Sequence, residues 1–210
     1  MSLFDFVGLE PNLPFALWLL PAPTWADRLE HYIGDLAKRN GTHPFVPHVT
    51  ICSAHGSADG EDHGSAVVRL AREWSPLDLK VDGLGCGPDY FTFLFLRLHQ
   101  PCGVDLIGEA LVAFPNCNGP AVGLHLSLVY ADTAPGRAGA VTDRTVLGQE
   151  LAPQIAQQGT DSSISFDRLA LVQPGPGGWR HGWPWRIHST FSLVGEAPCS
   201  GIAEEPSRKQ

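Results

Sequence analysis

Two short apolar runs of this chain, FVPHVTICS and VGLHLSLVY, each carry a histidine followed two residues later by a hydroxyl side chain. Successive side chains of a β-strand point to opposite faces, so His48 and Thr50 share one face of the first run. His125 and Ser127 share one face of the second run in the same way. Each run therefore predicts a strand with one apolar side and one polar side, and the polar side is a candidate site.

The same spacing occurs elsewhere in the chain, where it does not predict a strand with one polar face. Five histidines are followed by Ser or Thr two positions later: His48, His55, His63, His125 and His188. His55 and His63 lie in a stretch rich in Gly, Asp and Ser, which is typical of a loop and a helix start. His188 is followed by polar Ser189. His48 and His125 alone combine the motif with an apolar opposite face, and they are the candidate catalytic residues.

The composition indicates a protein with a sizeable core and an acidic surface. The chain has 210 residues, of which 43% are hydrophobic, and this suits one domain or two closely joined lobes. The formal net charge is −8. That charge argues against the broad basic surface that long nucleic acids require, so we expect no long nucleic acid as a partner. A small anionic ligand in a local pocket is still compatible with this net charge.

The cysteines and the N-terminal segment favour an intracellular protein. The five cysteines form no C-x-x-C pair and their number is odd, so we expect free thiols and no disulfide framework. The first apolar run lacks a basic segment before it and contains Pro14 and Pro21, unlike a secretory leader. No run reaches the roughly 20 apolar residues of a membrane span. We expect a cytoplasmic monomer that does not bind membranes.

The hydrophobic periodicity predicts helices and strands along most of the chain. The clearest helix runs from Thr24 as its N-cap to Gly41, with Leu29, Ile33 and Leu36 on one face. The predicted order is strand, helix, strand, helix, strand, strand, helix, strand, helix, strand, strand. The strands include YFTFLFLRLH as one long strand, the last helix is VTDRTVLGQELAPQIAQQ, and the last two strands form a hairpin.

This order favours an α+β fold of two lobes, in which mostly antiparallel sheets line a central cleft and helices lie on the outside. The connections are too short for many parallel crossovers. Each lobe contributes one motif strand, and so one histidine, to the cleft. We expect residues 1–196 to form a single bilobal catalytic domain. Residues 197–210 have no apolar period and are expected to be a disordered tail.

The segments PHVTI and LHLSLVYAD, with FALWLLP and a helix before the first, resemble the two-histidine (2H) phosphoesterase superfamily. Within it they are most similar to the cyclic phosphodiesterases of plants and yeast. The resemblance implies a bilobal fold in which two H-x-[TS]-x motifs line the cleft and open cyclic phosphates on ribose. It assigns these roles to His48, Thr50, His125 and Ser127, and it adds Tyr130 after the second motif. The segment QPGPGGWRHGWPW departs from the family pattern.

Hydrolysis of a cyclic phosphate needs the residue types that the two motifs contain. One group takes a proton from water and another protonates the departing ribose oxygen, on opposite sides of phosphorus. Histidine, with an ordinary pKa near 6.5, supplies both forms near neutral pH. The hydroxyls of Thr50 and Ser127 can donate to the phosphoryl oxygens as negative charge grows there. By the resemblance, His125 activates water and His48 is the acid, with Tyr130 as a further contact to the substrate.

Several aromatic side chains are candidate contacts for a nucleobase. Trp18 in the first predicted strand and Phe91 in the long strand could stack on a base, although packing in the core explains them equally well. The late segment WRHGWPW carries three tryptophans and two arginines in or beside it. It either covers the substrate or forms a contact between molecules.

The predicted function is metal-independent opening of a small cyclic nucleotide or of ADP-ribose 1″,2″-cyclic phosphate, with no cofactor and no metal. Two other functions stay open: an RNA-end or 2′-5′ oligonucleotide phosphodiesterase or ligase of the same superfamily, and a nucleotide-binding module without catalysis. The rival metal site would use four histidines: His43, His48, His55 and His63. Their spacing matches no recognised metal motif.

Overall fold

The structure is a computed structural model that describes residues 9, 13–54, 63–132, 148–149, 163–181 and 184–195. Its strands are β1 (Ala16–Pro21), β2 (Val49–Ser53), β3 (Leu77–Gly85), β4 (Leu94–His99), β5 (His125–Val129), β6 (Ser163–Gln173) and β7 (Arg186–Ser192). Its helices are α1 (Pro23–Asn40), α2 (His63–Glu73), α3 (Leu106–Ala113) and α4 (Gly178–His181), with a 3-10 turn at Tyr90–Thr92. Most of the predicted last helix, the predicted tail, His55 and Trp183 lie outside the described residues.

The strands form one antiparallel sheet in the order β1-β2-β5-β4-β3-β6-β7. The sheet is curled, because β1 pairs with β2 along one edge and with β6 along the other. β6 is 11 residues long, so it can pair with β3 near its start and with β7 near its end. β6 and β7 thus form the predicted terminal hairpin pair.

The sheet has two halves, one made of β1, β2, β6 and β7 and the other of β3, β4 and β5. They join where β2 pairs with β5, at Val49 opposite Leu126, and where β3 pairs with β6. The described strand pairings are all antiparallel, and α1, α2 and α3 pack on the sheet. The expected α+β fold with antiparallel sheets and outer helices is confirmed.

Alternation along the strands gives the sheet one face that packs against the helices. Leu17 and Leu19 of β1 and Val49 of β2 are fully buried in this core. α1 contributes Ile33 and Leu36 to the same core. Burial of a side chain of this size contributes roughly 1.5–3 kcal/mol. The strands therefore dock firmly through their apolar face, and their other face is left for the polar residues of the motifs.

Helix α1 begins two residues earlier than the sequence predicts. Pro23 is its first residue and Ala22 precedes it, whereas Thr24 is the predicted N-cap. Proline suits the first helical position because its φ is already helical and no amide partner is needed there. The end of the helix is as predicted, since Gly41 adopts a left-handed φ of 63°. No helix among the described residues combines the length and the apolar character needed to cross a bilayer.

The predicted long strand YFTFLFLRLH consists of two elements. Its first residues form the 3-10 turn Tyr90–Thr92, and β4 begins only at Leu94. The backbone amide of Thr92 donates to the carbonyl oxygen of Asp89 at 3.1 Å, which forms the turn, and the amide of Gly87 donates to the carbonyl oxygen of Thr92 at 2.6 Å. Periodicity does not reveal this break, because a short apolar run has the same composition in a turn and in a strand. Phe91 therefore lies in a turn and not in β4.

Truncation of Leu126 should destabilise the junction between the two halves. Leu126 is fully buried, and its neighbours can only partly fill the space that Leu126→Ala leaves. We expect the free energy of unfolding to fall by about 2–5 kcal/mol, measured by urea denaturation with circular dichroism. The control is Val112→Ala at a position that is 81% exposed, and it should change this free energy by less than about 0.5 kcal/mol. Equal effects of the two substitutions would contradict this description of the core.

Candidate active site

The two motif strands lie side by side. Val49 of β2 is opposite Leu126 of β5, and both side chains are buried in the core. Because side chains alternate along a strand, the residues before and after this pair point to the other face of the sheet. That face brings together the four motif residues: His48, Thr50, His125 and Ser127. The two histidines thus share one face of neighbouring strands.

Each histidine ring is fixed by a backbone carbonyl two residues before it. Nδ1 of His48 lies 2.7 Å from the carbonyl oxygen of Val46, and Nδ1 of His125 lies 2.8 Å from that of Gly123. A carbonyl can only accept, so Nδ1 of each ring carries a proton and donates it. Gly123 has a φ of 72°, and the turn that it makes directs its carbonyl toward the ring. This leaves Nε2 of each ring as the atom for proton transfer.

His48 is surrounded by aromatic rings. Trp18 of β1 stacks on its imidazole, with ring centroids 3.5 Å apart and an angle of 10° between the planes. Trp185 and Phe45 meet the imidazole edge-on, at 6.0 Å and 6.3 Å. The hydroxyl of Tyr130 donates a long hydrogen bond of 3.4 Å to Nε2 of His48. As a result, only 5% of the surface of His48 is exposed.

The surroundings lower the pKa of both histidines. Burial lowers the pKa of His48 from 6.5 to about 3; the hydrogen bond to Val46 opposes this shift, and the charge of nearby His125 adds to it. Burial also lowers the pKa of His125, and the hydrogen bond to Gly123 opposes that shift. Both rings are therefore neutral at pH 7, and they lie close enough for the charge of one to disfavour the charge of the other.

His125 has different neighbours from His48. Phe95 of β4 meets its ring edge-on at 5.1 Å, and 9% of His125 is exposed. Arg97 of β4 is directly opposite His125 in the ladder. His125 therefore lies between the aromatic side chains around His48 and the exposed face of β4.

The hydroxyl groups of the site have neighbours within the protein. Ser127 donates to the carbonyl oxygen of Phe91 at 2.9 Å. Burial raises the pKa of Tyr130, so its hydroxyl keeps its proton at neutral pH. Thr50 is half-buried and lies opposite Trp18 in the β1–β2 ladder. A phosphate that accepts from Ser127 must therefore replace the carbonyl of Phe91 as its partner.

The two aromatic residues predicted to contact a nucleobase have different positions. Trp18 is 2% exposed and one face of its indole is covered by His48, so it holds His48 and offers little surface to a base. Phe91 is half-buried and meets the ring of Tyr130 edge-on at 5.4 Å. Of these two rings, Phe91 is the one placed to touch a bound molecule.

Trp185 completes the aromatic cluster around His48. Besides His48, its ring contacts Trp18 at 5.5 Å, Tyr130 at 5.6 Å, Trp179 at 5.9 Å, Phe91 at 6.3 Å and Phe45 at 6.5 Å. Its indole nitrogen donates to the carbonyl oxygen of Trp179 at 2.9 Å. Arg180 forms an ion pair with Asp132 and lies over the ring of Tyr90 at 5.1 Å. The ring contacts and the hydrogen bond of Trp185 itself hold its indole edge-on against His48.

Comparison with known proteins gives the fold. The sequence matches no family model and no curated protein. Among solved structures, TT0787 of Thermus thermophilus has a TM-score of 0.54 and 16% identity, over 88% of this chain and 100% of that one. LigT of E. coli has a TM-score of 0.52 and 13% identity in its apo form, over 88% of this chain and 99% of that one. This chain therefore has the fold of TT0787 and of LigT.

Two other histidines that are followed by Ser or Thr two positions later lie in other elements of this fold. His63 lies in α2 and packs against Phe15 at 4.4 Å and Phe114 at 5.8 Å, in the core under the helices. His188 is half-buried in β7. In the part of the chain that the structure describes, no three side chains among His, Cys, Asp and Glu are grouped to hold a metal ion.

Two neighbours of the site escape prediction from the sequence. Phe45 stacks on Tyr130 with ring centroids 4.0 Å apart, and Arg97 stands opposite His125. Phe45 precedes the first motif in a stretch without regular secondary structure, so periodicity does not indicate where its ring points. Arg97 belongs to a predicted strand, but only the pairing of β4 with β5 identifies its neighbour. Both positions depend on contacts between segments that are distant in sequence, and a local sequence pattern does not report such contacts.

Removal of Trp185 should raise the pKa of His48. Burial holds this pKa at about 3, and Trp185→Ala admits water that stabilises the charged imidazole. We expect an upward shift of about one unit or more, seen when the Cε1 proton of His48 is followed by NMR against pH. The control is Trp25→Ala, since Trp25 lies in α1 beneath Arg28. The same pKa in all three proteins would show that Trp185 does not bury His48.

Proposed function

We propose that this chain opens ribose cyclic phosphates to phosphomonoesters by acid and base catalysis at His48 and His125, without a metal ion. The substrate is a nucleoside 2′,3′-cyclic phosphate or ADP-ribose 1″,2″-cyclic phosphate. One observation carries this proposal: both rings share a face of neighbouring strands, with Nδ1 bonded to a carbonyl and Nε2 left for the reaction.

The reaction needs the two rings in opposite protonation states. A neutral Nε2 takes a proton from water while the water oxygen forms its bond to phosphorus. A protonated Nε2 on the other ring gives its proton to the ribose oxygen while the phosphorus–oxygen bond breaks. Two rings on neighbouring strands can flank one phosphate, as in-line displacement requires.

The low pKa of His48 favours His48 as the base and so His125 as the acid, the reverse of the roles implied by the family resemblance. An anionic phosphate beside an imidazole raises its pKa by roughly 1–3 units. Starting from a pKa of about 3, His48 stays largely neutral at pH 7 even with phosphate bound. His125 is less enclosed than His48, at 9% exposed against 5%, and is the ring that gains a proton more readily.

The hydroxyl groups stabilise the charge that develops on the phosphoryl oxygens. On binding, a phosphoryl oxygen replaces the carbonyl of Phe91 as the acceptor for Ser127. Tyr130 keeps its proton and can donate to the phosphate in place of Nε2 of His48. Thr50, on the same face of β2 as His48, is the third donor.

A nucleobase fits the aromatic side of the site. Trp185 and Phe91 are half-buried, so each has some surface free for a flat group beside His48. Stacking of a base on such a ring contributes roughly 1–3 kcal/mol. Because the rings of Trp185 and Phe45 enclose His48, they must separate to some extent when the substrate enters.

Action on RNA ends or on 2′-5′ oligonucleotides is the second candidate. LigT of E. coli, which shares this fold, has been crystallised with ATP and with 3′-AMP. Nucleotide binding by that protein supports a nucleotide substrate here, and it supports both candidates equally. The formal net charge of −8 favours the small substrate, because long nucleic acids bind basic surfaces. A nucleotide-binding module without catalysis would bind the same ligands and convert none of them.

The purified protein should convert adenosine 2′,3′-cyclic phosphate to an adenosine monophosphate in the presence of EDTA. His48→Gln and His125→Gln should each lower kcat by roughly 10²- to 10⁴-fold, because each removes a proton-transfer group. His43→Gln changes an exposed histidine before the first motif and should keep the parent rate. The product is measured by liquid chromatography. Loss of activity with EDTA, or full activity in either variant, would refute the mechanism; faster cleavage of a 2′-5′ dinucleotide would favour the second candidate.

The pH dependence of kcat/KM should report two pKa values below 6.5. With His48 as the base, kcat/KM rises as the pH passes about 3, because the neutral ring is the reactive form. With His125 as the acid, kcat/KM falls as the pH passes its pKa, which burial holds below 6.5. The optimum therefore lies on the acidic side of 6.5. Residual activity should lose its rising limb in His48→Gln and its falling limb in His125→Gln, and the opposite pattern would exchange the two roles.

A further inference from the structure

Arg97 stands beside the candidate active site, on the side away from His48. It is directly opposite His125 in the β4–β5 ladder, just as Phe95 is opposite Ser127. Directly opposed side chains of antiparallel strands point to the same face, with Cβ atoms about 4.5–5.5 Å apart. Arg97 is exposed, whereas the residues before and after it in β4 are buried. Its side chain therefore leaves the sheet on the same face as the ring of His125.

Two more basic side chains lie on the same side of the site as Arg97. His99 follows Arg97 two residues later in β4, and Lys80 of β3 is opposite His99. All three are exposed. We name Arg97, His99 and Lys80 the basic strip. In a chain with a formal net charge of −8, the basic strip is a local region that can attract an anion next to His125.

Asp82 is the acidic neighbour of the basic strip. Its carboxylate lies 3.8 Å from Nε of Arg97 and 3.1 Å from Nε2 of His99, and its carbonyl oxygen accepts from Nη2 of Arg97 at 3.2 Å. The side chains of Arg97 and Asp82 are 52% and 58% exposed. Ion pairs that are this exposed contribute little to stability. A phosphate can therefore compete with the carboxylate of Asp82 for the guanidinium of Arg97.

The strand order places aromatic side chains at one end of the site and a cationic side chain at the other. Trp18 of β1 and the rings around His48 make one end aromatic, and Arg97 of β4 makes the other end cationic. β2 and β5, with the two histidines, lie between them. A substrate bound across these strands has a flat group at one end, the cyclic phosphate in the middle and an anionic group at the other end.

We propose that Arg97 binds a second phosphoryl group of the substrate and so selects cyclic phosphates that carry another phosphate away from the ring being opened. A guanidinium suits this role because it can form two parallel hydrogen bonds to one phosphoryl group. The inference rests on the proposed function, since it requires a cyclic phosphate at His48 and His125. Nucleoside cyclic phosphates with a 5′-phosphate or 5′-diphosphate are the substrate class that it names.

The test compares adenosine 2′,3′-cyclic phosphate with the same nucleotide carrying a 5′-phosphate. The parent protein should have a kcat/KM about tenfold higher for the 5′-phosphorylated substrate. Arg97→Gln should bring the ratio of the two kcat/KM values to about 1, and Arg97→Lys, which keeps the charge, should give an intermediate ratio. Asp82→Asn should raise the ratio, because it removes the carboxylate that competes with phosphate. Added salt should lower the ratio in the parent protein and leave it unchanged in Arg97→Gln.

The control is Arg72→Gln, because Arg72 is exposed in the last turn of α2. This variant should keep the parent ratio. A parent ratio near 1, or a high ratio that persists in Arg97→Gln, would overturn the role of Arg97 while the proposed function stands. If the parent protein opens neither substrate, the proposed function fails and the role of Arg97 fails with it.

Discussion

The register of β2 against β5 determines the arrangement of the candidate site. With Val49 and Leu126 opposite each other in the core, both histidines and both hydroxyl residues of the motifs lie on the other face. A shift of one residue in either strand would bury a histidine among aliphatic side chains and expose Val49 or Leu126. The burial of apolar residues on the helix side therefore positions the groups of the reaction, and no contact between the two imidazoles is needed to bring them together.

The rings that enclose His48 affect both its orientation and its protonation state. Trp18, Phe45 and Trp185 orient the ring and exclude water from it. The same exclusion disfavours the imidazolium and keeps the ring neutral. His125 has β4 and its charged residues as neighbours, and it is enclosed less. Two histidines with the same backbone contact thus differ in their surroundings, and such a difference separates a base from an acid.

The sequence predicts the parts of this structure that depend on local pattern. Strand alternation identifies His48 and His125, and the order of helices and strands indicates the α+β fold. Contacts between distant segments cannot be predicted from such local patterns. The stacking of Trp18 on His48 depends on the pairing of β1 with β2, and the position of Arg97 depends on the pairing of β4 with β5. The turn that removes Phe91 from β4 depends on a backbone hydrogen bond, which hydrophobic periodicity does not report.

The pairing of β1 with β6 has a consequence for how the chain acquires its structure during synthesis. Ala16 pairs with Val172 and Trp18 with Ala170, so β1 gains one of its two neighbours only after β6, a strand much later in the chain, has been made. Contacts so distant in sequence form slowly, because a long loop must close first. Until β6 leaves the ribosome, β1 has an unpaired edge and the wall of the site that contains Trp18 is incomplete. The nascent chain therefore carries both histidine motifs well before it can assemble the pocket that surrounds them.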